Sequence, residues 1–162
     1  MLFKNRKDAG MQLAKKIDEK GLTADVIVTL PRGGIPVAIE IAKTLNLPIR
    51  LCLVRKLGHP LNNEFAIGAV TAKNILIKNK EFENIETLHL EKLIQTERKR
   101  IEEMAVKFNH MFTPKDIKNK NIILVDDGIA TGTCVELAIQ ELKKFGTGKI
   151  TIATPLCPKN NY

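Results

Sequence analysis

The 162-residue chain carries 26 Lys and Arg against 18 Asp and Glu, a formal net charge of +8, with 44% hydrophobic and 27% charged residues. That length fits one domain able to bury about 68–70% of its unfolded surface, so folding requires neither disulfides nor a structural metal. No apolar run approaches the roughly 18 residues of a membrane span, no charged-then-apolar leader opens the chain, and its cysteines are scattered, which together predict a cytoplasmic protein with reduced thiols.

The positive balance suits acidic partners. Lysines are spread along the chain and aromatics make up 4% of it. Single-strand binding surfaces need clustered cations interleaved with stacking rings, so a nucleic-acid partner is not expected and a small polyanion fits better.

Residues 5 to 20 predict an amphipathic helix with Met11, Leu13, Ala14 and Ile17 on its apolar face, closed by Gly21. Asp25 to Leu30 is a β-branched run that predicts a buried strand. It stops at Pro31-Arg32-Gly33-Gly34, where Pro cannot continue a ladder and paired glycines permit close backbone approach or positive φ. Ile35 to Leu45 has helical spacing, with Pro36 in the first turn. Pro48 to Val54 predicts a further strand, with Cys52 as core packing, and Arg55 and Lys56 stand at its end.

Leu57 to Glu64 is polar, contains Gly, Pro and two Asn, and predicts an exposed mobile loop. The short apolar runs Phe65 to Thr71 and Ile75 to Ile77 predict a hairpin. Glu86 to Phe108 predicts a long helix with Leu90, Ile94, Ile101, Met104 or Ala105, and Phe108 on one stripe, and with TERKRIEE as a solvated face. Asn109 to Lys120 is expected to be a solvated linker. His59, His89 and His110 are scattered and read as surface or loop residues.

The stretch Asn121 to Cys134, NIILVDDGIATGTC, carries the chemistry. Four apolar residues predict a buried parallel strand. Asp126 and Asp127 follow at its carboxyl end, where open α/β sheets bind ligands. Thr131-Gly132-Thr133-Cys134 then leads into a helix, Val135 to Phe145, whose first turn presents unpaired N–H groups and the positive end of its dipole. A plain helix cap needs one acid or hydroxyl for about 1 kcal/mol; the second acid and the whole loop go beyond that need. Lys149 to Pro155 predicts the last strand. Strands alternating with helices give a parallel sheet with helices on both faces.

Residues 121–134 resemble the phosphoribosyl-pyrophosphate signature of type I phosphoribosyltransferases: two acids ending a hydrophobic strand, then Thr-Gly-x-Thr. The PRGG turn resembles the family's pyrophosphate loop, and the opening, an aromatic and basic residues before Asp8-Ala9-Gly10 and Leu13-Ala14, is similar to one of its subfamilies. The resemblance implies that fold, a mostly parallel sheet with helices on both faces and a small flexible-loop hairpin, in a single domain over residues 1–162. It implies a cis peptide near Pro31 to Gly33 and a loop after Arg55-Lys56 that closes over the substrate.

By the same resemblance, Ala130, Thr131, Gly132, Thr133 and Cys134 would hold the 5-phosphate of phosphoribosyl pyrophosphate, and Asp126 and Asp127 its ribose hydroxyls. Arg32, Gly33, Gly34, Arg55 and Lys56 would attend the pyrophosphate, with Asp126, Asp127 and Lys56 serving catalysis. Mg²⁺ is the implied cofactor, held mainly by substrate oxygens and water with no direct protein ligand required. The family transfers phosphoribose to a nitrogen nucleophile with inversion, and dimers are common in it.

Two positions depart from the pattern: Cys134 replaces the last Thr, and Ala130 stands where some purine-transferring members have an acid and members that transfer adenine also have Ala. The chain ends seven residues after Pro155, so the hood segment that contacts the base in the family is expected to be short or missing. The acceptor base stays open, as does a non-catalytic regulator sensing the same ligand or a nucleotide. A receiver-like domain using the acid pair for a metal would leave PRGG unexplained.

Overall fold

Strands β1 (Val26–Thr29) and β6 (Ile122–Val125) are buried at every position, the mark of parallel strands covered on both faces. They pair in parallel, with Val26 opposite Ile122 and Thr29 opposite Val125. Strand β2 (Ile49–Leu51) pairs beyond β1 and β7 (Ile150–Ala153) beyond β6, giving the all-parallel order β2-β1-β6-β7. The computed structural model describes residues 3–77, 87–108 and 111–158. They form two compact units: Met1–Cys52, His110–Ala130 and Leu142–Tyr162 make the unit with this sheet, and Leu53–Asn109 with Thr131–Glu141 make the other.

In the first unit, helices α1 (Arg6–Glu19) and α2 (Gly34–Leu45) pack with the sheet. The Asn5 side chain caps α1 by accepting from the Asp8 N–H, and Gly21, at φ +60°, follows the helix. Ala14, Ile17, Val37, Ala38, Ile41, Ile27, Ile123, Val125 and Ala153 form one core. Met11, expected in the apolar face, is 54% exposed. The buried stripe is Gly10, Ala14 and Ile17, an i, i+4, i+7 row, because α2 approaches at Gly10. A β-carbon there would stand 2.9 Å from both the α-carbon and the carbonyl oxygen of Val37.

The expected solvated linker is corrected over residues 111–120. Met111 bridges to Leu51, the Phe112 ring meets Phe145 edge-on at 5.8 Å, and the short helix α4 (Pro114–Ile117) seats a fully buried Ile117. Thr113 and Asp116 form a capping box around Pro114, a local signal present in the sequence. Asn109 and His110 lie outside the described residues.

The second unit holds an antiparallel sheet, β3 (Arg55–His59), β4 (Asn62–Val70) and β5 (Ile75–Ile77), with helix α3 (Thr87–Lys107) and most of α5 (Thr133–Lys143). The β4–β5 hairpin is as expected. The loop expected at 57–64 is instead the β3–β4 hairpin, turning at Pro60-Leu61. Leu57 is fully buried, and cross-strand pairing with β4 overrides the local polarity. The stripe of α3 includes Glu97, 5% exposed, among the residues expected to be solvated. Glu97 lies seven residues after Leu90 and four before Ile101, squarely in the apolar row. It is paired there with Arg55 and Arg100. Glu86, the expected start of this helix, lies outside the described residues. Among the described residues no helix is long and apolar enough to cross a membrane.

Candidate functional site

The parallel register of β1 against β6 sets Leu30 beside Asp126 at one edge of the sheet. Leu30 N–H donates to the Val125 carbonyl at 3.1 Å, and the buried Thr29 hydroxyl donates to the same oxygen at 3.0 Å. The PRGG turn leaves β1 from this edge. Its Pro31–Arg32 peptide is cis, as the resemblance implied, and the turn closes with Gly34 N–H on the Leu30 carbonyl at 3.1 Å. The Arg32 side chain is exposed.

Gly33 has φ −62°, a conformation open to any residue, so backbone freedom does not require glycine here. Space does. A β-carbon on Gly33 would overlap the Asp127 carboxyl group, and one on Gly34 would overlap the Thr29 hydroxyl and stand 3.0 Å from the Val125 carbonyl. The two glycines let the turn lie directly on the acid pair and the strand ends beneath it.

The two acids have different surroundings. Burial pushes the Asp126 carboxyl up to about 7, with the neighbouring Asp127 charge adding to the rise and the Asp127 N–H, donating to Asp126 Oδ1 at 2.9 Å, opposing it. Asp127 Oδ2 accepts from Arg6 Nε at 2.7 Å. Arg6 opens α1, and its side chain is 61% exposed. The sequence analysis gave Arg6 no role. The one available signal was its place two residues before Asp8-Ala9-Gly10, the opening that resembles a phosphoribosyltransferase subfamily. Asp8 fixes that opening by accepting from the Lys4 N–H at 2.9 Å, which holds its carboxyl below the usual carboxylate range. Ala130, the last residue of this stretch in the first unit, is exposed.

In the second unit, Thr131 and Thr133 place their hydroxyl oxygens 3.1 Å apart around Gly132, which has φ +75°. Thr133 is buried and begins α5, and Cys134 beside it is half-buried. The first N–H groups of such a helix have no carbonyl one turn back inside it and point toward an approaching anion. Arg55 and Lys56 separate by strand alternation. Arg55 Nε is bonded to the buried Glu97 at 2.8 Å, whereas Lys56 is exposed on β3.

The order β2-β1-β6-β7 has a further consequence within the first unit. From β1 the chain proceeds through α2 to β2 on one side, and from β6 through α5 to β7 on the other. The β1–β6 edge is therefore the point at which strand order reverses, where doubly wound sheets bind ligands. PRGG and the acid pair flank that point. This fold, with its acid pair at the strand-order reversal, is that of an α/β protein of the phosphoribosyl transferase type. The phosphoribosyl transferase domain model matches residues 2–161, and the chain belongs to that family.

A Mycobacterium tuberculosis protein bearing the phosphoribosyl transferase name is 35% identical over 160 residues, 97% of this chain and 36% of that one. The chain thus spans about a third of the length of this curated relative. Among solved structures, TT1426 from Thermus thermophilus matches all of this chain and 88% of its own, with 28% identity and a TM-score of 0.72. A purine phosphoribosyltransferase from Pyrococcus horikoshii shares the fold at 24% identity and a TM-score of 0.51, over 90% of this chain and 68% of its own.

Proposed function

We propose that the protein binds phosphoribosyl pyrophosphate with Mg²⁺ and transfers phosphoribose to the nitrogen of a base. The observation that carries this reading is the seating of the PRGG turn on Asp127 at the β1–β6 edge. It sets the turn assigned here to the pyrophosphate against the Asp127 carboxyl assigned here to the ribose diol.

The roles follow the chemistry of each group. Asp126 and Asp127 carboxyl oxygens accept from the ribose hydroxyls. Burial holds the Asp126 carboxyl above the usual carboxylate range, so the group can accept from a hydroxyl or, where it carries the proton, donate to one. Arg32 meets the charge that develops on the departing pyrophosphate. The Thr131 to Cys134 turn takes the 5-phosphate, with Thr131 and Thr133 hydroxyls and the first N–H groups of α5 as donors. In the transfer, the C1–N bond forms from the lone pair of the base and the C1–O bond breaks. The electron pair leaves with the pyrophosphate, and the proton of the base nitrogen passes to solvent or to a pyrophosphate oxygen. The cation-like sugar between these events is stabilised by the nearby carboxylates.

In this reading Mg²⁺ would be held mainly by substrate oxygens and water, the hard ligands it prefers, with no direct ligand required from the chain. When bound, the ion would neutralise charge on the pyrophosphate. Lys56 remains assigned to the leaving group. Arg55, which the resemblance gave to the pyrophosphate, is here committed to Glu97, and we assign it to holding α3 on β3.

Titration calorimetry with phosphoribosyl pyrophosphate, with and without Mg²⁺, tests the reading. Micromolar, Mg²⁺-dependent binding that is lost in Asp127→Asn, with an unchanged melting temperature, is the expected result. A folded protein that does not bind overturns it. Binding without pyrophosphate release across a panel of bases would turn the reading to a sensor of the same ligand.

A further inference from the structure

Helix α5 carries an acid that apolar packing does not explain. Glu141 is 9% exposed, and burying a carboxylate is costly unless hydrogen bonds meet it. Two of them come from the turn between β4 and β5: the Asn74 side-chain amide donates to Glu141 Oε1, and the Thr71 hydroxyl donates to the same oxygen at 3.3 Å. The turn is itself fixed. Thr71 N–H donates to the Asn74 carbonyl at 2.8 Å, and the Thr71 hydroxyl oxygen accepts from Asn74 N–H at 2.9 Å. Thr71, Asn74 and Glu141 all belong to the second unit.

We propose that Glu141 is a positioning residue for phosphate binding. By clasping the β4–β5 turn it sets the roll of α5 about its axis, and with it the aim of the Thr131 to Cys134 turn from which the helix starts. The inference rests on the function proposed above, which gives that turn the 5-phosphate.

Thr133, Leu137 and Glu141 recur at every fourth position and are 2%, 1% and 9% exposed, so they lie along one side of the helix. Thr133 stands at the phosphate end of that row, its hydroxyl 3.1 Å from that of Thr131, and Glu141 stands at the other end. The buried residues between them, Val135, Leu137 and Ala138, are apolar. Apolar burial is non-directional and tolerates a rotation of the helix, whereas a hydrogen bond weakens steeply when it leaves its line. The clasp therefore supplies the angular restraint that the apolar contacts lack. A leucine would fill a buried helix position with less desolvation, and fixing register is the best-attested use of a buried polar group. Strand β4 also pairs with β3 so that Lys56 lies opposite Ala69, and the same clasp ties the strand carrying Lys56 to the helix that begins at the phosphate turn.

Calorimetric titration of the full chain with ribose 5-phosphate tests this in wild type, Glu141→Ala, Asn74→Asp, and Glu141→Gln combined with Asn74→Asp. A misplacement of about 1 Å can cost about a hundredfold in rate, and a loss of about tenfold in affinity is expected in Glu141→Ala. Asn74→Asp, which sets two carboxylates against each other, should lose at least as much. The double variant keeps the charge and reverses the hydrogen bond, the introduced amide donating to the introduced carboxylate, and should recover most of the affinity. Urea unfolding in parallel identifies any variant that fails to fold. A packing role alone would lower stability and leave the affinity of the folded protein unchanged. That result overturns the proposal, as does a double variant that binds no better than Asn74→Asp. Thr131→Ala separates the layers. If wild type does not bind, or Thr131→Ala binds as well as wild type, the phosphate assignment falls and takes this inference with it. If Thr131→Ala weakens binding while Glu141→Ala and Asn74→Asp do not, the inference about Glu141 falls alone.

Discussion

The carboxyl group of Asp127 fills the space in which a β-carbon of residue 33 would stand. Gly33 and Asp127 lie 94 positions apart in the chain, and the acid can occupy its place because the turn has no side chain there.

Gly33→Ala is therefore expected to move either the turn or the acid. Overpacking of this kind costs about 1–3 kcal/mol, and the displaced carboxyl should cost phosphoribosyl pyrophosphate at least about tenfold in affinity, or roughly 1.4 kcal/mol. Calorimetry alongside thermal melting checks this. Wild-type affinity in Gly33→Ala would show that the contact is incidental to binding.

Gly10→Ala provides the contrasting case. Its β-carbon would press on the backbone of Val37, which cannot rotate aside as a side chain can. A loss of about 1–3 kcal/mol in urea unfolding is expected, with ligand affinity retained by the protein that remains folded. A neutral effect on stability would mean that α1 and α2 separate without cost.

Asp126 makes stability depend on pH in a definite direction. Its folded value, about 7, lies above the reference 3.8, so between these values the native state binds more protons than the unfolded chain. Stability contributed by the protonated acid is fully present below about pH 4 and is lost as pH rises through 7. The difference in stability between wild type and Asp126→Asn should accordingly shift against wild type by a few kcal/mol over that window. Melting temperatures of both proteins from pH 4 to pH 8 measure it; parallel curves would place the carboxyl in water.

Arg55 and Lys56 should behave oppositely although they are adjacent. Glu97→Ala removes a buried carboxylate and strands Arg55, whose side chain is 36% exposed and can partly rehydrate, so a cost of about 1–3 kcal/mol is expected. Arg55→Ala should cost a similar amount, and the double variant less than the sum, as a urea-unfolding cycle would show. Lys56→Ala should leave stability within about 0.5 kcal/mol of wild type and lower turnover more than binding. Unchanged turnover would remove Lys56 from the reaction.

Local patterns sufficed for much of this molecule. The buried strands at 26–29 and 122–125 were legible because parallel strands covered on both faces are apolar without interruption. The Asp126-Asp127 pair and the Thr131-Gly132-Thr133 turn were legible because they lie within one continuous stretch. Leu57 was not: its neighbours in sequence are polar, and it is buried where β3 pairs with β4. Glu97 stands at a position its spacing marks as apolar, but its charge argues against burial until Arg55, 42 positions away, is seen to pair with it. The helix at 114–117 was legible in principle, since its capping box is local. Its burial was not, because Ile117 is flanked in sequence by the polar residues Asp116 and Lys118.

Most elements, the acid pair and the Thr-Gly-Thr turn follow from spacing and from the chemistry of neighbours along the chain. The adjacency of β1 and β6, the need for glycine at 33 on grounds of space and not of φ, and the grip of Arg6 on Asp127 exist only in the folded molecule. Those are meetings between residues roughly a hundred positions apart, and burial of both sheet faces, which no local pattern encodes, is what brings them together.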